Sequence, residues 1–542
     1  MVADADAGSS PPGENIPSTA SPPFDSESAD ITLRTSDNVD FHVHRAVLAI
    51  ASPVFATMLE LPQPERSQSL TTSDPLARSR VIVSEDSKTL DVLLRLCYPV
   101  AKTQQRDMEG IASVLEIAMK YEMEWPISFL SKELETFAGQ DPLRTWAVAC
   151  RLGLDGVAHT AVASLLQPGN AAKTLDLTNL VHSEGPAVLD GASAGHYFRL
   201  RGCLRQGKVD PDISLISPPP LHPSSFASLD VSSLQFFSEI PGHDVICRSR
   251  DGVEFRAHRA ILSMQSPALK RSFFGGETPT SDSTEAESLS GVDEAIPKPP
   301  TLQTIVLGLS HRALALLLNI CYGELDETVT TPEPPLLAEL MAVSEEYEMK
   351  QVLAVVKRLW ESCARRRPLD AYFTAIRYGS PASARAAAKL TLSSRAFPEQ
   401  YSPSMEHAPA RSYHHLMRYH QACESAVARE LKSARDSWRA NPAYQRYLSP
   451  TTSQSNYTPS GKEKVHIGEQ EWLVTYLQRA ERRLVSSNVG RALEPVLGSV
   501  ALLNEAKARR AFCPPVNDVL GQLLDIGNTL PLKLTSAINE VI

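Results

Sequence analysis

No stretch of the 542 residues strings together about 18 apolar side chains, so no membrane span is expected. The first 30 residues are acidic and rich in Ser and Pro, and they lack the apolar run of a secretory signal. An excess of positive charge is missing as well. The formal net charge is −10, which argues against a nucleic-acid partner. The eight cysteines include no close pairs. That spacing excludes a disulfide framework and the paired ligands of a zinc finger. The expected setting is therefore cytoplasmic or nuclear and not secretory, and the Asn456-Tyr457-Thr458 sequon reads as chance. What remains is ordinary globular composition, 42% apolar and 21% charged, in a chain long enough for roughly three to four domains.

What is present is a duplication. Phe41-His42-Val43-His44-Arg45-Ala46-Val47-Leu48, followed by Ser52-Pro53-Val54-Phe55, returns as Phe255-Arg256-Ala257-His258-Arg259-Ala260-Ile261-Leu262, followed by Ser266-Pro267-Ala268-Leu269. Asp30 and Asp244 precede their histidines by the same interval. Leu90, Leu93, Leu94 and Cys97-Tyr98 recur as Leu314, Leu317, Leu318 and Cys321-Tyr322. Tyr121-Glu122-Met123 recurs as Tyr347-Glu348-Met349, and Tyr197 with Leu200 as Tyr413 with Leu416. Shared order with a drifting offset means one unit copied, with loops of unequal length.

Local patterns supply the elements. Ile31–Thr35 alternates and reads as a strand, with Val39–His44 as its hairpin partner across Ser36-Asp37-Asn38. Ala46–Ile50 is expected to be a short buried helix. Ser52-Pro53 and Ser266-Pro267 read as helix starts, serine capping and proline at the first helical position. A third strand is expected at Arg80–Ser84 and again at Thr304–Leu307. Leu90, Leu93, Leu94 and Cys97 then form one helical stripe, and Ile111–Tyr121 a second amphipathic helix. Helices should fill Trp125–Gln167, broken near Gly153, and Val352–Ser394, broken near Gly379. The fold class is α+β.

The expected division is a disordered tail over 1–28 and a first unit over 29–136 with a helical extension over 137–208. A Pro-rich linker over 209–241 leads to a second unit over 242–362 with its extension over 363–440. A flexible segment over 441–464 and a helical C-terminal region over 465–542, with helices at Trp472–Leu484 and Leu493–Arg510, complete the chain.

The order of strand, hairpin strand ending in His-Arg-Ala, Ser-Pro helix start, third strand and Tyr-ending helix resembles the BTB/POZ domain, twice over. Pro99, after Tyr98, is a departure where a glycine-like residue often follows. The helices after each copy resemble the appendages of fungal BTB proteins. The resemblance implies a three-stranded sheet capped by a helical cluster in each unit. It also implies protein–protein contact as the function, through dimers or as a substrate adaptor for a cullin-type ubiquitin ligase. Asp30 with Arg45, and Asp244 with Arg259, map onto the charged pocket of dimerising members. Partners are then a cullin, a second copy, or the other unit of the same chain, since a linker holds the two at local concentrations near millimolar.

Catalytic readings compete poorly. His42 and His44 share a strand face, but Arg256 stands at the His42 position of the second copy and no further ligands are placed to complete a metal site. His44 and His258 read instead as structural, hydrogen-bonded at the hairpin-to-helix corner. Gly191-Ala192-Ser193-Ala194-Gly195 fits a nucleophile elbow, which makes an esterase-like hydrolase built on Ser193 the competing reading. That motif needs a strand before the serine, and the copy carries Pro409 in its place. Cys97 and Cys321 fall on apolar helix faces as core thiols. No enzyme, metal or cofactor is expected.

Overall fold

A computed structural model of the chain describes residues 17–61, 79–100, 107–167, 176–219, 240–274, 302–323, 332–392 and 397–440, with short pieces between 478 and 536. Expectations for 1–16, for the loops after Leu61 and Phe274, and for 441–464 lie outside the described residues. So do those for the two helices after Trp472, apart from a helical pair at 478–479. The chain forms two compact units. One comprises residues 1–192 with 196–218, the other residues 193–195 with 219–542.

In the first unit β1 (Ser18–Thr19), β2 (Ile31–Arg34), β3 (Val39–Val43) and β4 (Ser79–Ile82) form a sheet ordered β1-β3-β2-β4. β2 and β3 are an antiparallel hairpin turned at Asn38, which takes φ +62°, and β4 joins β2 in parallel. Alternation puts Ile31, Leu33, Phe41 and Val43 on one face, where all are buried, with Ile31 opposite Val43 and Leu33 opposite Phe41. That face is covered by α1 (Arg45–Ala51), α2 (Pro53–Glu60), α3 (Ser87–Cys97), α4 (Met108–Lys120) and α5 (Glu124–Glu135). The extension is α6 (Pro142–Leu152), α7 (Asp155–Leu165), α8 (Leu177–Glu184) and α9 (Ala194–Gln206). Asp86, Asp107 and Asp141 each accept a first-turn N–H, and Gly153, at φ +70°, ends α6.

The second unit repeats the plan. β5 (Val245–Arg248), β6 (Glu254–Ala257) and β7 (Gln303–Val306) are ordered β6-β5-β7, antiparallel then parallel, in the same register as β3-β2-β4. α10 (Arg259–Gln265), α11 (Pro267–Phe274), α12 (His311–Tyr322), α13 (Pro334–Glu346) and α14 (Lys350–Arg366) follow. The extension is α15 (Pro368–Arg377), α16 (Pro381–Thr391) and the 31-residue α17 (Ala410–Ala440).

Three expectations need correction. Residues 17–28 were expected to be disordered, yet β1 adds a fourth strand to the first sheet, parallel to β3. Phe24 anchors it, fully buried against Phe41 (5.7 Å between centroids) and edge-on to Tyr98 (5.4 Å). One aromatic ring, just after Pro22-Pro23, fastens a stretch whose composition is otherwise that of a tail. Second, α1 is not a buried helix: Leu48 is its one buried residue, and Ile50 is 89% exposed. Third, the stretch expected to be linker from 209 begins as part of the first unit, with Leu215 buried at 2% exposure.

Candidate interaction surfaces

The recurring His-Arg-Ala block sits where β3 or β6 turns into a helix. His44 N–H donates to the Tyr98 hydroxyl at 2.8 Å, and His258 N–H to the Tyr322 hydroxyl at 3.0 Å. The imidazole Nδ1 meets the same hydroxyl, at 3.3 Å for His44 and 2.8 Å for His258. Nε2 of His258 faces the Pro241 carbonyl at 3.1 Å, which can only accept. That nitrogen therefore carries a proton, and Nδ1 pairs with the Tyr322 hydroxyl. In the first unit Ser28 Oγ takes the carbonyl's place at 3.1 Å. Burial pushes both tyrosine hydroxyls above their ordinary pKa. The tyrosine was the partner that sequence reasoning missed, although Cys-Tyr recurs at matching places.

Asp30 and Asp244 touch the main chain of the arginines named with them. Each carboxylate accepts the N–H of Arg45 or Arg259 at 2.7 Å, holding the first turn of α1 or α10. The guanidinium groups turn elsewhere. Arg45 Nη1 donates to the Leu59 carbonyl at 2.8 Å, tying α1 to the end of α2. Arg259 lies over the Phe273 ring, 5.9 Å from its centroid. The structure thus joins aspartate to arginine through the backbone, not charge to charge.

Ser52 and Ser266 each do two jobs. Their Oγ atoms accept the N–H of Phe55 and Leu269 at 3.0 Å, capping α2 and α11. The same hydroxyls donate to the carbonyls of Tyr121 (2.5 Å) and Tyr347 (2.6 Å), at the ends of α4 and α13. Glu122 and Glu348 then take φ +52° and +57°, and Met123 and Met349 N–H close the helices on Ala118 and Ser344 carbonyls. Pro53 and Pro267 stand at the first position of the capped helices.

The two copies differ at a buried carboxylate. Glu85, its side chain 5% exposed, accepts from the Tyr121 hydroxyl at 2.8 Å and pairs with Lys120. Burial opposes its charge, but the hydrogen bonds from Lys120 and Tyr121 outweigh it and hold the carboxyl below its usual pKa. The second copy has Leu309 there, fully buried.

With these polar groups committed to the framework, the outer surface shows large apolar side chains at matched positions. Ile50 on α1 and Met264 on α10 are 89% and 81% exposed. Ile82 on β4 and Val306 on β7 are 79% and 62% exposed, and both strands are sheet edges. Sequence reasoning overlooked all four. The spacing held the signal: Leu48 and Ile50 are two apart on a helix and cannot share a buried face.

Ser193 opens α9 after a 3-10 turn at Pro186–Leu189, where a nucleophile elbow needs a strand. Its hydroxyl donates to Glu406 at 3.4 Å. Gly191 takes φ +85°, a conformation that favours glycine, and both glycines are closely approached by side chains. A Cβ on Gly195 would lie 2.1 Å from Glu406 Oε1, and one on Gly191 would lie 2.6 Å from Arg151 Cδ. Burial raises the Cys97 and Cys321 thiols to about 11 and about 12, away from reactivity. Among the described residues no helix is long and apolar enough to cross a membrane.

A three-stranded core sheet under a helical cluster, built twice, defines a tandem α+β module protein. A family model described as BTB/POZ domain matches residues 23–137 and 235–362, and the chain thus carries two BTB/POZ domains in tandem. Both helical extensions lie outside the matched residues. A comparison with curated proteins finds no match. BTB domains are generally protein-interaction modules and are often cullin adaptors.

Proposed function

We propose that the chain is a non-enzymatic scaffold or adaptor that binds other proteins through the matched apolar faces of its two BTB/POZ modules. The observation that carries this reading is the paired exposure of Ile50 with Met264 and of Ile82 with Val306. A duplicated unit has no folding reason to keep four large apolar groups in water at equivalent places, whereas a docking face gives one. Ile82 and Val306 lie on edge strands, which also offer unpaired main-chain groups to a partner. Asp30, Arg45, Asp244 and Arg259 lie at the starts of α1 and α10 and hold these helices in place, and they are not part of the proposed contact.

The partner is a cullin-type ligase scaffold or a second copy of the chain. Mixing the purified chain with a purified cullin and measuring the complex mass separates the two. A cullin complex supports adaptor function. Self-association without cullin binding assigns a scaffold.

A further inference from the structure

The two extensions treat one groove differently. In the first unit α9 stops at Gly207, which takes φ +68°, and the chain folds back across α7 and α9. Leu215 seats in the groove at 2% exposure. Its N–H donates to Asp155 Oδ1 at 2.9 Å. Arg199 donates to the carbonyls of Leu215 and Ile216, both at 2.8 Å, and His196 Nε2 meets the Ile216 carbonyl at 3.1 Å. A segment of turns and bends is thus held by one leucine side chain and by its own main chain, with Asp210 and Asp212 just before it.

In the second unit Cys423 stands where Gly207 does, and α17 runs on to Ala440. The equivalent groove, between α15, α16 and α17, is an open trough of about 470 Å³. Its floor keeps the apolar character, with Ile376, Ala384 and Leu416. Ala388 replaces the bulkier Val162, while Tyr419 stands at the Cys203 position and Ile376 at the Cys150 position. The rim has become cationic. Arg385 stands at the His159 position and His415 at the Arg199 position, with Arg411 and Arg418 one turn to either side along α17. The lining includes no Asp or Glu, and Pro381 replaces Asp155.

We infer that this trough binds a short acidic segment of another protein, seating one leucine or isoleucine where the first unit seats Leu215 of its own chain. This site is separate from the BTB faces and does not rest on the function proposed for them. Arg385 and His415 take the place of Arg199 as donors to the peptide carbonyls, and the charge of Arg385 adds attraction for flanking carboxylates.

The test is a random peptide library displayed on phage, panned on the full chain and counter-selected on the Arg385→Glu chain. Selected peptides are then titrated by fluorescence polarisation. Expected are sequences pairing a leucine or isoleucine with neighbouring Asp or Glu, weakened about tenfold or more by Arg385→Glu and by Leu→Ala in the peptide. Ala384→Trp, which fills the floor, should abolish binding. Arg385 is exposed, so its reversal leaves the fold intact, and unchanged circular dichroism verifies that. Failure to enrich any peptide over the counter-selection overturns the inference. So does enrichment of sequences whose binding ignores both substitutions.

Discussion

At the scale of single residues, the duplicated serine is the joint that both modules share. Ser52→Ala would remove a helix cap and leave the Tyr121 carbonyl without its donor, and Ser266→Ala would do the same at Tyr347. Each change should cost its own unit about 1–3 kcal/mol. Hydrogen exchange, read separately over α2 and α11, is the measurement, and unchanged protection in either would refute the shared joint. Tyr98→Phe and Tyr322→Phe should each cost about 1–2 kcal/mol, because the hydroxyl pairs with both the main chain and the ring of one histidine. Glu85 supplies an asymmetry in pH. Its folded pKa lies below the unfolded value, so its contribution is present above the ordinary Glu pKa and is lost as pH falls through the folded value. With Leu309 in its place, the second unit lacks that term. On acidification below about pH 4.5, exchange protection around α4 should fall before that around α13, and Glu85→Gln should erase the difference. The serine caps were legible as Ser-Pro pairs. The Glu85 network was not, because its members are separated in sequence and only its tyrosine recurs in the second copy.

At the scale of elements, hydrophobic periodicity placed the strands and helices well, since each buries one face and the pattern of that face is local. α3 and α12 follow directly from leucines at i, i+3 and i+4 with a cysteine at i+7. The failures have a common cause. β1 and the returning segment at Leu215 are each held by one side chain plus main-chain hydrogen bonds, which leave almost no periodic trace. α1 was misjudged because an interaction helix exposes apolar residues, and composition alone counts those as core. Ile50→Asp and Met264→Asp should therefore leave stability within about 0.5 kcal/mol, as expected for exposed positions, while weakening partner binding. A large drop in melting temperature would instead mark these side chains as structural.

At the scale of the molecule, duplication was the most legible feature because it is a relation between residues and needs no energetic judgement. It gave two like topologies, and the strand registers of the two sheets match. It could not show where the copies have diverged. The first retains a buried carboxylate and fills its extension groove with its own chain. The second replaces the carboxylate with leucine and leaves the groove open. Such differences arise where one copy is released from a constraint the other still meets.

Sedimentation of the full chain, alone over a range of concentrations and mixed with a purified cullin, should be compared with that of the Ile50→Asp/Met264→Asp double variant. The expected result is a heavier species, a self-associated form or a cullin complex, that the double substitution removes while circular dichroism stays unchanged. A chain that remains a monomer and binds no cullin, or a complex that survives both substitutions, would contradict the assignment of these faces as the working surface.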